Sequence, residues 1–218
     1  MNTSAFAKGG LSPFDFFSFD VTAPQPTQDA DLLRHLSFIP GLKEILMVRQ
    51  VHALEHATVW VLSASKNFQV RTKTPTSNFQ VDNELLGGLS TERGFYLYGE
   101  VNISNLRRAV TLARHRLTNG EWDLAVHPRC GTNVSVAMLL TAGLAVGMHL
   151  LLPRGPIEQL IGLGVAATTA AELAPDIGAL AQRYLTTSSP FNLEIENIRR
   201  TRDLWGRQAY FVQVQWRD

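Results

Sequence analysis

The chain has 218 residues, of which 20 are Lys or Arg and 19 are Asp or Glu, so its net charge is +1. This length accommodates one compact domain and a membrane element, but hardly two full domains. The balanced charge offers no field that would attract a polyanion, so we expect no nucleic-acid partner. The single cysteine, Cys130, excludes an internal disulfide and favours a reducing compartment.

Residues 1–40 are predicted to form an N-terminal arm. They contain prolines, a Gly-Gly pair and scattered aromatics, including four phenylalanines between positions 14 and 19. Such a composition rarely folds alone and often packs in an extended form.

Residues 41–132 are predicted to contain a long helix and part of a small sheet. Apolar residues recur at helical spacing over 42–63, without Gly or Pro, which predicts one long helix. The stretch 64–93 is rich in Ser, Thr, Asn and Gly, and predicts a loop with a few short strands at most.

A β-α-β unit is predicted next. Residues 95–101 are aromatic and β-branched, Ser104 offers a cap for an amphipathic helix, and 122–126 is predicted to be a second strand. A right-handed crossover through the helix would make the two strands parallel.

Residues 133–182 are predicted to form a transmembrane helical hairpin. The stretch 133–152 has no Asp, Glu, Lys or Arg, and twenty helical residues span about 30 Å, the hydrocarbon thickness of a bilayer. A turn leads into the weaker segment 157–181, which contains acidic residues. A buried soluble hairpin is the alternative. Arginines are concentrated on both flanks of the hairpin, so we expect the flanks on the cytoplasmic side.

Residues 183–218 are predicted to form a β-hairpin that joins the sheet. The segments 193–198 and 209–216 alternate apolar with polar residues. The fold class is therefore predicted to be α+β: a long helix and a small mixed β-sheet with a two-helix transmembrane hairpin.

The predicted long helix contains His52-Ala53-Leu54-Glu55-His56, the H-x-x-E-H arrangement of inverted zincins. Residues four apart share a helix face, so the two imidazoles can bind one divalent metal ion, such as Zn²⁺. Glu55 can then lie beside a metal-bound water as a general base. The alternative interpretation is a pair of half-buried histidines.

A second motif, His-Pro-Arg-Cys-Gly-Thr at 127–132, directly precedes the first predicted span. His127 and Cys130 have the spacing of a two-ligand knuckle, and a helix N-terminus would favour the thiolate of Cys130. Together with His52 and His56 they would form a closed, structural tetrahedral set. A catalytic site needs an open position, so in that case only one of His127 and Cys130 would coordinate.

Two carboxylates are alternative ligands. Where the second predicted span returns to the cytoplasmic face, Glu172 and Asp176 lie near the level of the 127–132 turn, and either could bind the metal. The alternative for both is capping at the membrane interface.

The two motifs, with a hydrophobic stretch directly after the second, resemble an uncharacterised bacterial family of predicted metal-dependent membrane enzymes. The stretch 52–131, including the segments 87–90 and 94–99, resembles a cyanobacterial membrane protein family of unknown function. These resemblances imply a metal-dependent protein of a thylakoid or plasma membrane. Ala57 stands where the bacterial family has a lysine, so a role for that ammonium group does not carry over.

Two functions are compatible with these residues. One is a membrane-anchored, zinc-dependent hydrolase or peptidase with Glu55 as general base. The other is a non-catalytic assembly or scaffold factor of a membrane protein complex, with a structural metal and with the aromatic arm as a docking segment. Both predict that the long helix lies against the start of the first span, so that His52 and His56 meet the 127–132 turn.

Overall fold

The structure is a computed structural model that describes residues 27–65 and 84–217. The phenylalanine-rich part of the predicted arm lies outside the described residues. In chain order the helices and strands are α1 (Gln28–His35), α2 (Leu42–Ala64), β1 (Gly87–Thr91), β2 (Gly94–Tyr98), α3 (Ile103–Thr118), a 3₁₀ helix (Trp122–Ala125), α4 (Gly131–Leu151), α5 (Pro156–Ala181), a π-helical turn (Gln182–Thr186), β3 (Leu193–Arg202) and β4 (Gln208–Trp216). The predicted α+β class with a helical hairpin is confirmed.

The central element is α2, and it confirms the predicted long helix. Most of its residues from Leu46 onward are buried, because α3 and the sheet both pack against it. Its polar residue Gln50 is fully buried, and its amide donates to the Asp29 carboxylate of α1 at 2.6 Å and accepts from the Asn192 backbone N–H at 3.1 Å. These bonds join α1 and the residue before β3 to α2.

The sheet has the strand order β1-β2-β4-β3 and is antiparallel throughout. The predicted C-terminal hairpin does join it, through β4 beside β2. The prediction of a mixed sheet with a parallel pair was wrong, because Trp122–Ala125 is a 3₁₀ helix. The carbonyls of Ala125 and Val126 accept hydrogen bonds from side chains of α2. These bonds take the place of the backbone hydrogen bonds that a strand would make with its neighbour.

The N-cap of α3 lies two residues before the predicted cap. The side chain of Asn102 accepts a hydrogen bond from the backbone N–H of Ser104 at 2.8 Å, so Asn102 and not Ser104 is the N-cap.

The hairpin of α4 and α5 is long and apolar enough in both helices to cross a membrane. No residue of α4 is buried, and large apolar side chains such as Met138 and Leu139 are exposed. The face of α5 that packs against α4 consists of small residues at a spacing of four: Gly162, Ala166, Ala170, Ala174 and Gly178. Small residues at this spacing let two helix backbones approach closely, as they do inside membranes.

Gln182 joins the hairpin to the soluble part. Its fully buried amide donates to Asn133 of α4 at 2.7 Å and accepts from the backbone N–H of His127 at 2.8 Å. Asn133 in turn donates to the Pro128 carbonyl at 2.7 Å. The start of α4 and the end of α5 are therefore fixed to the same turn, residues 127–132.

Candidate metal centre

The helix α2 presents His52, Glu55 and His56 to one side, because residues three and four apart are neighbours on a helix. The rings of His52 and His56 lie with their centroids 4.3 Å apart. His56 is buried and His52 is half-buried. The two histidines therefore lie on one face of α2, as their spacing predicts, and that face is turned toward the interior of the protein.

Both imidazoles are oriented by backbone carbonyls. Nδ1 of His52 lies 3.1 Å from the carbonyl oxygen of Thr186, and Nδ1 of His56 lies 2.6 Å from that of Ala125. A carbonyl can only accept, so each Nδ1 carries the proton and donates it. In the tautomer with Nε2 unprotonated, each ring keeps a lone pair on Nε2, which is the arrangement of most metal-binding histidines.

Cys130, from the motif at 127–132, lies beside His52 and His56. It is the N-cap of α4, where its Sγ accepts from the backbone N–H of Thr132 at 3.4 Å, and that Sγ lies 3.2 Å from Nε2 of His52. Burial raises the pKa of the Cys130 thiol, but the hydrogen bond and the charge of a protonated His56, together with the Thr132 bonds, hold the pKa below its usual range. These contacts favour the thiolate more than water does.

The ligand atoms of His52, His56 and Cys130 all lie within 4.8 Å of one another, and this is the one such group of three or more within residues 27–65 and 84–217. In a tetrahedral zinc site, bond lengths of about 2.1 Å to nitrogen and 2.3 Å to sulfur place those atoms about 3.6 Å apart. The group is therefore compatible with binding one ion, and it contains residues of both motifs.

His127 lies next to this group but does not belong to it. Its ring packs against His56 and Trp60, with centroids 5.5 and 4.7 Å away. Nδ1 of His127 accepts from the backbone N–H of Arg129 at 3.2 Å, so that lone pair is already used. The structure thus brings together three of the four predicted ligands, and the closed set of three histidines and one cysteine is not formed.

Glu55 faces β1 and is buried. Its carboxylate accepts a hydrogen bond of 2.5 Å from the hydroxyl of Ser90. Burial raises the pKa of Glu55 above its ordinary value, and the Ser90 bond and the charge of a protonated His52 only partly offset this. A Cβ built on Gly88 would come 2.1 Å from Oε1 of Glu55, so the glycine leaves the space that this side chain occupies.

A cavity of about 420 Å³ connects these residues. Its walls are the three candidate ligands, Glu55, residues 86–90 beside α2, and the turn at 127–132. This volume lies within the range of small-molecule sites. The candidate metal position and the carboxylate therefore share one space that a substrate could enter.

The alternative carboxylate ligands lie elsewhere. Glu172 and Asp176 are exposed on α5, and neither belongs to the group of His52, His56 and Cys130.

The sequence reasoning missed Ser90 and Gly88 as partners of Glu55. The segment 87–91 lies in the stretch 64–93, for which the sequence predicts a loop with a few short strands at most, and it forms strand β1. The signal lay in its context, since polar turn residues at 92–93 separate it from an aromatic strand, which is typical of a β-hairpin. The carbonyls of Ala125 and Thr186 left no signal, because they contribute backbone atoms only.

Comparison with known proteins supports a family assignment. An uncharacterized protein of Picosynechococcus sp. (strain ATCC 27264 / PCC 7002 / PR-6) is 48% identical over 203 residues, which cover 93% of this chain and 96% of the relative. No solved structure matches the chain. The predicted relation to a cyanobacterial family of unknown function is confirmed, and the relation to metal-dependent enzymes stays a prediction. Residues 47–198 match the family described as Domain of unknown function (DUF6391), and the chain belongs to that family.

Proposed function

We propose that the protein is a membrane-anchored, metal-dependent hydrolase in which His52, His56 and Cys130 bind one divalent ion, most favourably Zn²⁺. The observation that carries this proposal is the pair of Nδ1 hydrogen bonds to backbone carbonyls, because they leave Nε2 of each ring as the atom that can coordinate an ion beside Cys130. Three protein ligands leave a fourth position open, as catalytic zinc sites require. The bound ion would supply Lewis acidity at that position.

Glu55 is the proposed general base. It lies on the same helix face as the two histidines, inside the cavity, with its carboxylate held by Ser90. Its raised pKa brings the carboxyl toward the range in which proton exchange with a substrate is efficient near neutral pH. Glu55 would take a proton from water and return it to the leaving group.

The hairpin of α4 and α5 is the proposed membrane anchor. Exposed apolar side chains on both helices and the small-residue face between them support an environment of lipid. Arg129 and Arg183 flank the hairpin, which supports a cytoplasmic position of the soluble part. A thylakoid or plasma membrane is proposed on the basis of the cyanobacterial relative.

The open position can be tested without a known substrate. The full chain, purified in detergent, is loaded with Co²⁺, and its visible absorption is recorded while acetohydroxamate, a small metal-binding ligand, is added. We expect Co²⁺ to bind and the spectrum to change on addition of the hydroxamate. Glu55→Gln should bind Co²⁺ equally well. A Co²⁺ spectrum that does not respond to the hydroxamate would contradict an open site and would support a structural metal.

A second function, as an assembly factor of a membrane complex, is favoured by one observation. The turn between β3 and β4 presents Leu204 and Trp205, which are 89% and 67% exposed. Exposed aromatic residues on a fixed turn are typical anchors of protein interfaces. Stoichiometric co-purification with a membrane complex, weakened by Trp205→Ala, would support this function, and recovery of the chain free of any partner would count against it.

A further inference from the structure

Strand β1 borders the cavity with its edge. In the described part of the chain, β1 pairs with β2 on one side and with no strand on the other. The cavity touches residues 87–90 in succession. Successive residues of a strand face opposite sides of a sheet, so a cavity that touches four of them in a row must run along the edge.

The outward backbone groups of β1 belong to Gly88 and Ser90. The two-residue turn at 92–93 is closed by the pair of Thr91 and Gly94, and such a closing pair is hydrogen-bonded. Hydrogen-bonded and non-bonded pairs alternate along the ladder, so Gly88 and Ser90 direct their N–H and C=O groups away from β2. The described residues provide no hydrogen bond to these groups.

The other wall of the cavity is the start of the hairpin. Cys130, Gly131 and Thr132 line the cavity, together with His52 and Glu55 of α2. The guanidinium of Arg129 donates to the Leu86 carbonyl at 3.2 Å, which ties this wall to the start of the strand. The result is a slot that leads from the edge of β1 to the first turn of a candidate membrane span.

We propose that this slot binds an extended polypeptide segment, which pairs with β1 as an additional strand and places one of its amide bonds beside Glu55. This rests on the proposed hydrolase function and makes the substrate a protein segment near the membrane surface. In the reaction, the oxygen of water bonds to the carbonyl carbon and the C–N bond breaks. Glu55 moves one proton of that water to the leaving nitrogen, the other stays on the new carboxyl group, and the products are a carboxylic acid and an amine.

The outward N–H and C=O groups favour a peptide over an apolar chain. An extended peptide supplies complementary groups at the spacing of a strand, and main-chain hydrogen bonds of this kind provide affinity in strand addition. An acyl chain would bury the groups of Gly88 and Ser90 without partners, which is costly. Gly87 has no side chain, and a Cβ built there would meet no atom within 4 Å, so the strand is open at that position.

Three hydroxamates of matched headgroup test the proposal on the Co²⁺-loaded full chain in detergent. They are acetyl-Leu-Ala-Leu hydroxamate, the same peptide with N-methylated amides, and dodecanohydroxamate. We expect the first to bind at least tenfold more tightly than the second, and to slow amide hydrogen exchange in residues 87–91. Exchange in β3, the opposite edge of the sheet, serves as the internal control and should not change. Equal affinity of the two peptides, or tighter binding of the dodecyl compound, would overturn the proposal.

Failure of the metal centre can be told apart from failure of the peptide site. Loss of Co²⁺ binding or of the acetohydroxamate response would contradict the proposed hydrolase alone. The edge is then tested with acetyl-Leu-Ala-Leu amide, which needs no metal, through hydrogen exchange of residues 87–91. Protection of these amides supports the strand pairing, and unchanged exchange at saturating peptide overturns it.

Discussion

At the scale of single residues, Gly88 decides whether Glu55 can occupy its position. We expect Gly88→Ala to destabilise the protein by about 1 to 3 kcal/mol, because the new Cβ must displace the Glu55 carboxylate or the strand. Gly87→Ala is the matched control, since a Cβ there meets no atom within 4 Å. The free energies of unfolding of both variants are measured by chemical denaturation in detergent. Equal effects of the two substitutions would show that the contact at Gly88 is not limiting.

Asp203 provides a pH dependence with a defined sign. It is buried in the turn between β3 and β4. Although burial raises its pKa, hydrogen bonds from Tyr98, Arg207 and the Trp205 backbone outweigh this and lower the pKa to about 2 from 3.8. The folded state therefore binds fewer protons than the unfolded state between these values. The stabilisation is complete above pH 3.8 and is lost as the pH falls toward 2.

The variant Asp203→Asn should remove this dependence. We expect wild type to be more stable than the variant at pH 5 and the difference to shrink as the pH falls through the range from 3.8 to about 2. Thermal unfolding at a series of pH values measures it. A difference that stays constant over that range would contradict the lowered pKa of Asp203.

At the scale of elements, the packing of α5 against α4 depends on its small residues. A Cβ on Gly178 would come 2.2 Å from Oδ1 of Asn133, the atom that accepts from Gln182, whereas Gly164 on the same helix has no atom within 4 Å. We expect Gly178→Ala to lower the thermal stability in detergent and Gly164→Ala to leave it unchanged or raised. If both variants melt together with wild type, the hairpin does not depend on this contact.

The sequence predicted the helices better than the sheet, for physical reasons. Helical periodicity is local, so the apolar spacing over α2 and the uncharged stretch of α4 were sufficient. The segment 122–126 resembled a strand, but its carbonyls are bound by side chains of α2 about 66 residues earlier in the chain. Strand pairing and its replacements are contacts between distant residues, which local patterns do not show.

The candidate site, too, was predictable only where local sequence patterns determine it. Helical spacing placed His52, Glu55 and His56 on one face, and the turn before a predicted span placed Cys130 at a helix N-terminus. The position of His127 could not be predicted, because it depends on the backbone N–H of Arg129 that uses its lone pair. The sequence left open whether His127, Cys130 or both would coordinate, and the structure places Cys130 in the group with His52 and His56.

At the scale of the whole molecule, the candidate metal centre joins three parts of the chain. His52 and His56 belong to the soluble helix α2, Cys130 begins the hairpin, and Thr186 at the end of the hairpin orients His52. A bound ion would connect α2 to the helical hairpin, because metal affinity adds to the stability of the state that binds.

The metal content of the purified protein tests this account most directly. The full chain is equilibrated with Zn²⁺, freed of unbound metal, and analysed for zinc and protein, alongside His52→Ala, His56→Ala and Cys130→Ala. His115→Ala serves as the control, because His115 is exposed on α3 and lies outside the group of three. We predict about one zinc per chain in wild type and in His115→Ala, and a loss of more than about tenfold in affinity in each of the three ligand variants. Wild-type protein without bound metal, or ligand variants that retain zinc as wild type does, would contradict the proposed centre.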